Sequence, residues 1–204
     1  MTAQATREHI LEEATRLFVA EGYAGLSMRQ LAHQVGVSKA GLYYHFRDKE
    51  SLFLAILTEN LLEIEKIIQQ ARREGASARE RIERIFRGIF ARSPEQQAII
   101  RLASQEAGRL SPEARKSFRQ LYHQKFTWQI QAILQEGVDA GELRPMDARQ
   151  GAWILLGMMY PYFYPSHRQE MGDPQEALDL MLTIFFEGAQ ATAPEAGRAP
   201  GAVL

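Results

Sequence analysis

The 204-residue chain has no cysteine, and its one asparagine is Asn60. The missing cysteines exclude disulfides, thiolate metal sites and cysteine nucleophiles. Long hydrophobic runs are missing too. The most apolar window, Gly151 to Pro165, falls short of the roughly 20 residues needed to cross a bilayer and is interrupted by Pro161, so it reads as a buried helix. There is little excess charge of either sign: a formal net charge of -1 gives no whole-molecule steering, and any polyanion must be held by a local patch. The N-terminus, MTAQATREHILEEATRLF, carries charges throughout and lacks the apolar core of a secretory signal, so the expectation is a cytoplasmic address without membrane contact. G-x-S-x-G, a Gly-rich phosphate loop and H-E-x-x-H do not occur, and His9, His33, His45, His123 and His167 have no ligand spacing. We therefore expect no catalytic residue, no metal and no cofactor.

Helical periodicity dominates, and no alternating β-branched run with a hairpin turn appears, which predicts an all-α protein. In a first helix over residues 6–20, Ile10, Leu11, Ala14, Leu17 and Phe18 share one face, and Glu21-Gly22 ends it. A short second helix follows the Ser27 cap with Met28, Leu31, Ala32 and Val35 inward, and Gly36 stops it. Ser38 can cap a third helix directly afterwards, so Gly36-Val37-Ser38 reads as the tight turn of a helix-turn-helix. Asp48 caps a long fourth helix running past Gln70, suited to carrying a signal between domains. Further amphipathic helices are expected over residues 78–91, 94–107, 112–140, 147–164 and 174–190, several opened by proline at the first helical position. The Ala-, Pro- and Gly-rich end should be a disordered tail. The expected domains are 1–50, 51–190 and the tail 191–204.

The stretch SKAGLYYHFRDKESLF, Ser38 to Phe53, concentrates groups that seek phosphate. Between Ser27 and Lys49 the strong charges are Arg29, Lys39, Arg47 and Lys49 against Asp48 alone, a local excess of three positive charges. Leu42 and Phe46 point inward with Val37. Lys39, Ala40 and Gly41 form an exposed first turn whose small residues let the helix tip approach a base edge or phosphate. Lys39 is the candidate for reading guanine in the major groove. The hydroxyls of Ser27, Tyr43 and Tyr44, the His45 imidazole and Lys49 can donate to phosphate oxygens.

From Thr6 to Ile56 the chain resembles the DNA-binding domain of the TetR family of bacterial repressors. The residues that carry the likeness are the LF and GY of the first helix and its end, then LSMRQLAHQVGVSKAGLYYHFRDKESLF; the run GVSKAGLYYHFRDKESL is highly specific. The resemblance implies a helix-turn-helix DNA-binding domain followed by a helical ligand-binding and dimerisation domain. It also implies that Ser27, Ser38, Tyr43, Tyr44, His45 and Lys49 anchor phosphates of a double-stranded operator, with Lys39, Ala40 and Gly41 nearest the bases. Many members have threonine where this chain has Ser27, and the hydroxyl is retained.

One short recognition helix reads few bases, so a homodimer on two half-sites is expected. Its interface is sought on Ala177, Leu180, Met181, Ile184, Phe185 and Gly188 of the final helix and on the helix from Trp153 to Tyr160. Aromatics of the middle helices, Phe86, Phe90, Phe118, Tyr122, Phe126, Trp153, Tyr160 and Phe163, are candidates for an effector pocket, with Met158 and Met159 nearby. The segment IIRLASQEAGRLSPEARKSF resembles the TetR members that answer fatty acyl-coenzyme A. That implies an acyl chain among the aromatics and coenzyme phosphates near Arg101, Arg109, Arg115 or Lys116. The rival reading is a helical protein–protein adaptor without a DNA target, which duplex binding with a steep salt dependence would exclude.

Overall fold

The computed structural model describes residues 3–163 and 172–189, all helices, turns and loops. Three helices, α1 (Ala3–Glu21) and the short α2 (Met28–Val35) and α3 (Lys39–His45), lead into the long α4 (Lys49–Glu74). Six more follow: α5 (Ala78–Phe90), α6 (Pro94–Glu106), α7 (Pro112–Tyr122), α8 (Trp128–Asp139), α9 (Ala148–Met159) and α10 (Pro174–Ala189). The caps are those the sequence signals. Ser27 accepts from the Gln30 amide, Ser38 from Gly41 and Asp48 from Ser51, while Gly36 closes α2 in the left-handed region at φ 76°.

The apolar stripes of α1–α3 close on the first turns of α4. Phe18 and Phe53 meet edge to face with ring centroids 5.3 Å apart, and Leu26, Leu31, Leu42 and Leu52 fill the space around them, none more than 2% exposed. Burying one such side chain contributes about 1.5–3 kcal/mol. A second core gathers Leu61, Ile64 and Ile68 of α4 with the inner faces of α5, α8, α9 and α10. Helix α4 therefore belongs to both cores. So does the corner between α6 and α7: Ile99, Leu102, Leu110 and Ala114 pack into the N-terminal core, and Phe118 touches both. The expected boundary at residue 50 falls inside α4, whose opening turns complete the N-terminal core.

Several expected helix limits shift for local reasons. The first helix begins at Ala3, earlier than residue 6. The segment expected as one helix over 112–140 carries a π-helical turn, His123–Thr127, between α7 and α8. There the buried Thr127 hydroxyl lies 2.8 Å from His123 Nδ1 and reaches back to the His123 carbonyl, a side-chain competition that periodicity does not reveal. The helix expected over 147–164 ends at Met159 and tightens into a 3₁₀ turn, Tyr160–Phe163, where Pro161 offers no amide proton. Tyr164, Gln190 and the expected tail 191–204 lie outside the described residues. Among the described residues no helix is long and apolar enough to cross a membrane, and no group of three or more metal-ligating side chains assembles.

Candidate nucleic-acid interface and effector cavity

The tip of α3 stands clear of the core. Leu42 and Phe46 are buried beneath it, as the spacing predicts, while Lys39 and Ala40 are exposed and Gly41 is half-buried. Gly41 serves the cap directly: a Cβ there would meet Ser38 Oγ at 3.2 Å. Ser38 Oγ accepts the Gly41 amide at 2.9 Å, which leaves its O–H free to donate outward. Tyr43 is 44% exposed and Tyr44 80%, unusual for aromatic side chains that have a core available beside them. The Lys39 ammonium sits 5.8 Å from the Tyr43 ring centre, and His45 lies edge-on to Tyr44 with centroids 5.1 Å apart. The outer surface of α3 thus presents a cation and two phenols, with the half-buried imidazole beside Tyr44.

The flanking candidates divide. Arg29 is exposed on α2, its guanidinium in no ion pair among the described residues. The Ser27 hydroxyl already donates to Gln30 Oε1 at 2.6 Å. Lys49 is half-buried, and its ammonium donates to the Tyr23 and Leu26 carbonyls at 2.8 and 2.7 Å while lying 4.4 Å over the Tyr23 ring. Burial lowers its pKa, helped by repulsion from Arg109 and opposed by Glu106. Lys49 therefore pins the loop between α1 and α2, a role its position beside Asp48 did not signal. Burial, then the carboxylates of Glu50 and Asp48, raise the pKa of Tyr23. The Asp48 carboxyl is held below the usual range chiefly by the Ser51 amide, with Arg47 2.9 Å away assisting.

A cavity of about 520 Å³ opens in the C-terminal part, walled by α4, α5, α6, α7 and α9 with the turn after it. Of the aromatic candidates, Phe86, Phe118, Tyr122, Phe126, Trp153 and Tyr160 line it. Phe90 does not; it packs against Tyr162 at 5.8 Å between ring centres. The Phe163 side chain lies outside the described residues. Arg101 and Arg109 do not line the cavity either. Arg109 pairs with Glu106 at 2.6 Å near Lys49, because the turn Ala107–Arg109 carries it toward the N-terminal core. The cations at the cavity are instead Arg115 and Arg119, one turn apart on α7, neither in an ion pair among the described residues. Sequence reasoning named Arg115 but missed Arg119, whose i+4 spacing was the available signal. It also missed Leu57, Asn60, Leu61 and Ile64 on α4, of which the three aliphatics have the residue type and spacing of plain core.

Polar groups inside are few. The Ser104 and Tyr160 hydroxyls bond to each other. Burial, then the neighbouring Tyr160, push the Tyr122 phenol up to about 12, so it stays protonated at neutral pH. Glu50 ties the cavity wall to the N-terminal core: its carboxylate accepts the Ser111 amide at 2.6 Å and the Ser111 hydroxyl at 2.8 Å, and Ser111 caps α7.

The stripe expected on the final helix splits in two. Ala177, Met181 and Phe185 face the chain's own core, whereas Leu180 at 60% and Ile184 at 56% exposure point outward with Gly188. Trp153 and Ile154 of α9 are equally exposed, at 62% and 60%. A Cβ at Gly157 or Gly188 would meet nothing within 4 Å, so another helix could approach closely there.

Comparison with known proteins places these features in a family. The profile of bacterial regulatory proteins of the tetR family matches residues 10–56, and that of tetracyclin repressor-like C-terminal domains matches residues 63–161, so the two together cover most of the chain. The chain is 25% identical over 190 residues to the HTH-type transcriptional repressor DhaR of Mycobacterium sp. (strain GP1), spanning 92% of this chain and 93% of that one. Among solved structures it resembles the TetR family transcriptional regulator PfmR from Thermus thermophilus, with a TM-score of 0.72 at 28% identity over 87% of this chain and 97% of that one. It likewise resembles AibR, solved in complex with isovaleryl coenzyme A and operator DNA, with a TM-score of 0.74 at 27% identity over 89% of this chain and 98% of that one.

Proposed function

This chain belongs to the tetR family of bacterial regulatory proteins and is a DNA-binding transcriptional repressor, and from that premise we propose that it holds a palindromic operator as a homodimer and releases it when an amphipathic effector fills the cavity. The observation that carries the reading is the continuity of α4. Its first turns fix the domain that presents Lys39, Ala40 and Gly41, and its middle turns form a wall of the cavity. Each subunit offers one tip to a major groove, with Tyr43, Tyr44, Ser38 and His45 toward the flanking phosphates. The exposed Trp153, Ile154, Leu180 and Ile184 supply the subunit interface, since four large apolar side chains on two adjacent helices mark an association surface.

The effector is an amphipathic thioester of the acyl-coenzyme A class. Its apolar chain lies among Phe86, Phe118, Phe126 and Leu57, and its anionic head meets Arg115 and Arg119, cations of the cavity wall that form no ion pair among the described residues. The bound isovaleryl coenzyme A of AibR supports that class. Filling the cavity displaces α7 and the middle turns of α4, and the opening turns of α4 carry that displacement into the N-terminal core. A ligand shifts the balance only by its preference for one state, and coupling of roughly 1–3 kcal/mol per site suffices to change operator affinity about 5- to 150-fold. The test is selection of bound fragments from random duplexes, repeated with a panel of acyl-coenzyme A compounds. The reading expects an inverted repeat whose recovery falls with one chain length; absence of any enriched sequence would overturn the operator, and recovery unaffected by every compound would overturn the effector class.

A further inference from the structure

Resting on the effector reading above, we infer that Asn60 and Tyr122 form a polar anchor inside the cavity and select an effector with a neutral hydrogen-bonding group along its apolar body. Asn60 is the chain's one asparagine and stands on α4 among Leu57, Leu61 and Ile64, which line the same cavity. Its Oδ1 is buried and has no hydrogen-bond partner among the described residues. An unmatched buried acceptor is destabilising, so the carboxamide is a group that a ligand in the cavity can complete. On α7, which packs against α4, Tyr122 lines the same cavity; its hydroxyl also makes no hydrogen bond among the described residues, although the ring is packed against Phe118 and Phe126. The π-helical turn that starts immediately after Tyr122 sets this stretch of α7 against α4.

The remaining hydroxyls do not compete for the role, because Ser104 and Tyr160 satisfy each other. The carboxamide can present its oxygen or, after a half-turn, its NH₂ at the same point, and the protonated phenol both donates and accepts. The matching ligand group therefore carries a donor and an acceptor and no charge. In an acyl-coenzyme A that chemistry has two sources: a hydroxyl on the acyl chain, or a secondary amide of the pantetheine arm. Arg115 and Arg119 hold the anionic head; Asn60 and Tyr122 set which body is accepted.

The test is calorimetric titration of the full chain with octanoyl-coenzyme A and with 3-hydroxyoctanoyl-coenzyme A, for the wild type, Asn60→Leu, Asn60→Ala and Tyr122→Phe, each checked for a cooperative thermal melt. Loss of the anchor should raise Kd by about 3- to 10-fold. A loss confined to the hydroxylated compound assigns the group to the acyl hydroxyl, and an equal loss for both compounds assigns it to the pantetheine amide. Both asparagine variants should lose affinity. If Asn60→Leu weakens binding while the smaller Asn60→Ala binds like the wild type, the effect is steric and the inference is overturned. Wild-type affinity in all three variants overturns it as well, and leaves the effector class standing. A wild type that binds neither compound removes the effector class and this inference together.

Discussion

Cutting the Glu50 latch is the perturbation that most directly probes how the two halves communicate. In Glu50→Ala the Ser111 amide and hydroxyl lose their shared acceptor, at 2.6 and 2.8 Å, and the cap of α7 is released from the start of α4. Hydrogen bonds to charged groups contribute roughly 1.5–3 kcal/mol each in mutational series; the half-buried setting, where water can replace the lost partner, puts the combined loss near ~2 kcal/mol. For a chain of this size that lowers Tm by about 4–8 °C, readable by calorimetry. Glu50→Gln, which keeps an acceptor but not the charge, should fall between the two. The second readout is the ratio of operator Kd with and without saturating octanoyl-coenzyme A, measured by fluorescence anisotropy. Because α7 forms the cavity wall and Glu50 fastens it to the N-terminal core, that ratio should shrink several-fold in Glu50→Ala. A variant with unchanged Tm and an unchanged ratio would refute the reasoning, since the contact would then carry neither stability nor signal.

Other outcomes follow from the same geometry. Lys39→Ala should relax base preference, whereas Tyr43→Phe should weaken all duplexes alike; competition assays with mutated half-sites separate the two, and identical behaviour of both variants would contradict the assignment. Ile184→Glu, at a position 56% exposed on α10, should convert dimer to monomer in light scattering while the monomer keeps its helical circular dichroism. The Tyr122 phenol has a folded-state pKa of about 12 against the ordinary 10.0, so above pH 10 the unfolded chain releases a proton that the folded chain retains, and stability falls as pH rises toward 12. Urea midpoints measured between about pH 9 and pH 11.5 should therefore decline more steeply for the wild type than for Tyr122→Phe.

The N-terminal half was legible because its determinants are local. Ser27, Ser38 and Asp48 are all caps, Gly36 adopts the left-handed conformation expected of it, and Leu42 and Phe46 are buried beneath an exposed Tyr43 and Tyr44. Lys49 shows the limit of that reasoning, for nothing adjacent in sequence tells that its ammonium reaches the Tyr23 and Leu26 carbonyls more than twenty positions away. The cavity is assembled from five helices, so its aromatic members could be named individually but not separated from Phe90, which a modest rotation on α5 turns toward Tyr162. The aliphatic wall on α4 was invisible for a different reason: lining a cavity and filling a core demand the same apolar residues at the same spacing. On α10 two adjacent apolar stripes merged in the sequence, and only packing distinguishes the inward Met181 and Phe185 from the outward Leu180 and Ile184.

The central claim is that two copies of the α3 tip engage one duplex through its phosphates and that the cavity controls this engagement. Titrating a selected inverted-repeat duplex with the full chain across a series of salt concentrations tests it most directly. For about six to eight neutralised phosphates the account predicts a log–log slope of roughly −5 to −7, two subunits per duplex, and loss of the complex on adding the cognate acyl-coenzyme A. A salt-independent affinity, or a single subunit saturating the duplex, would contradict it.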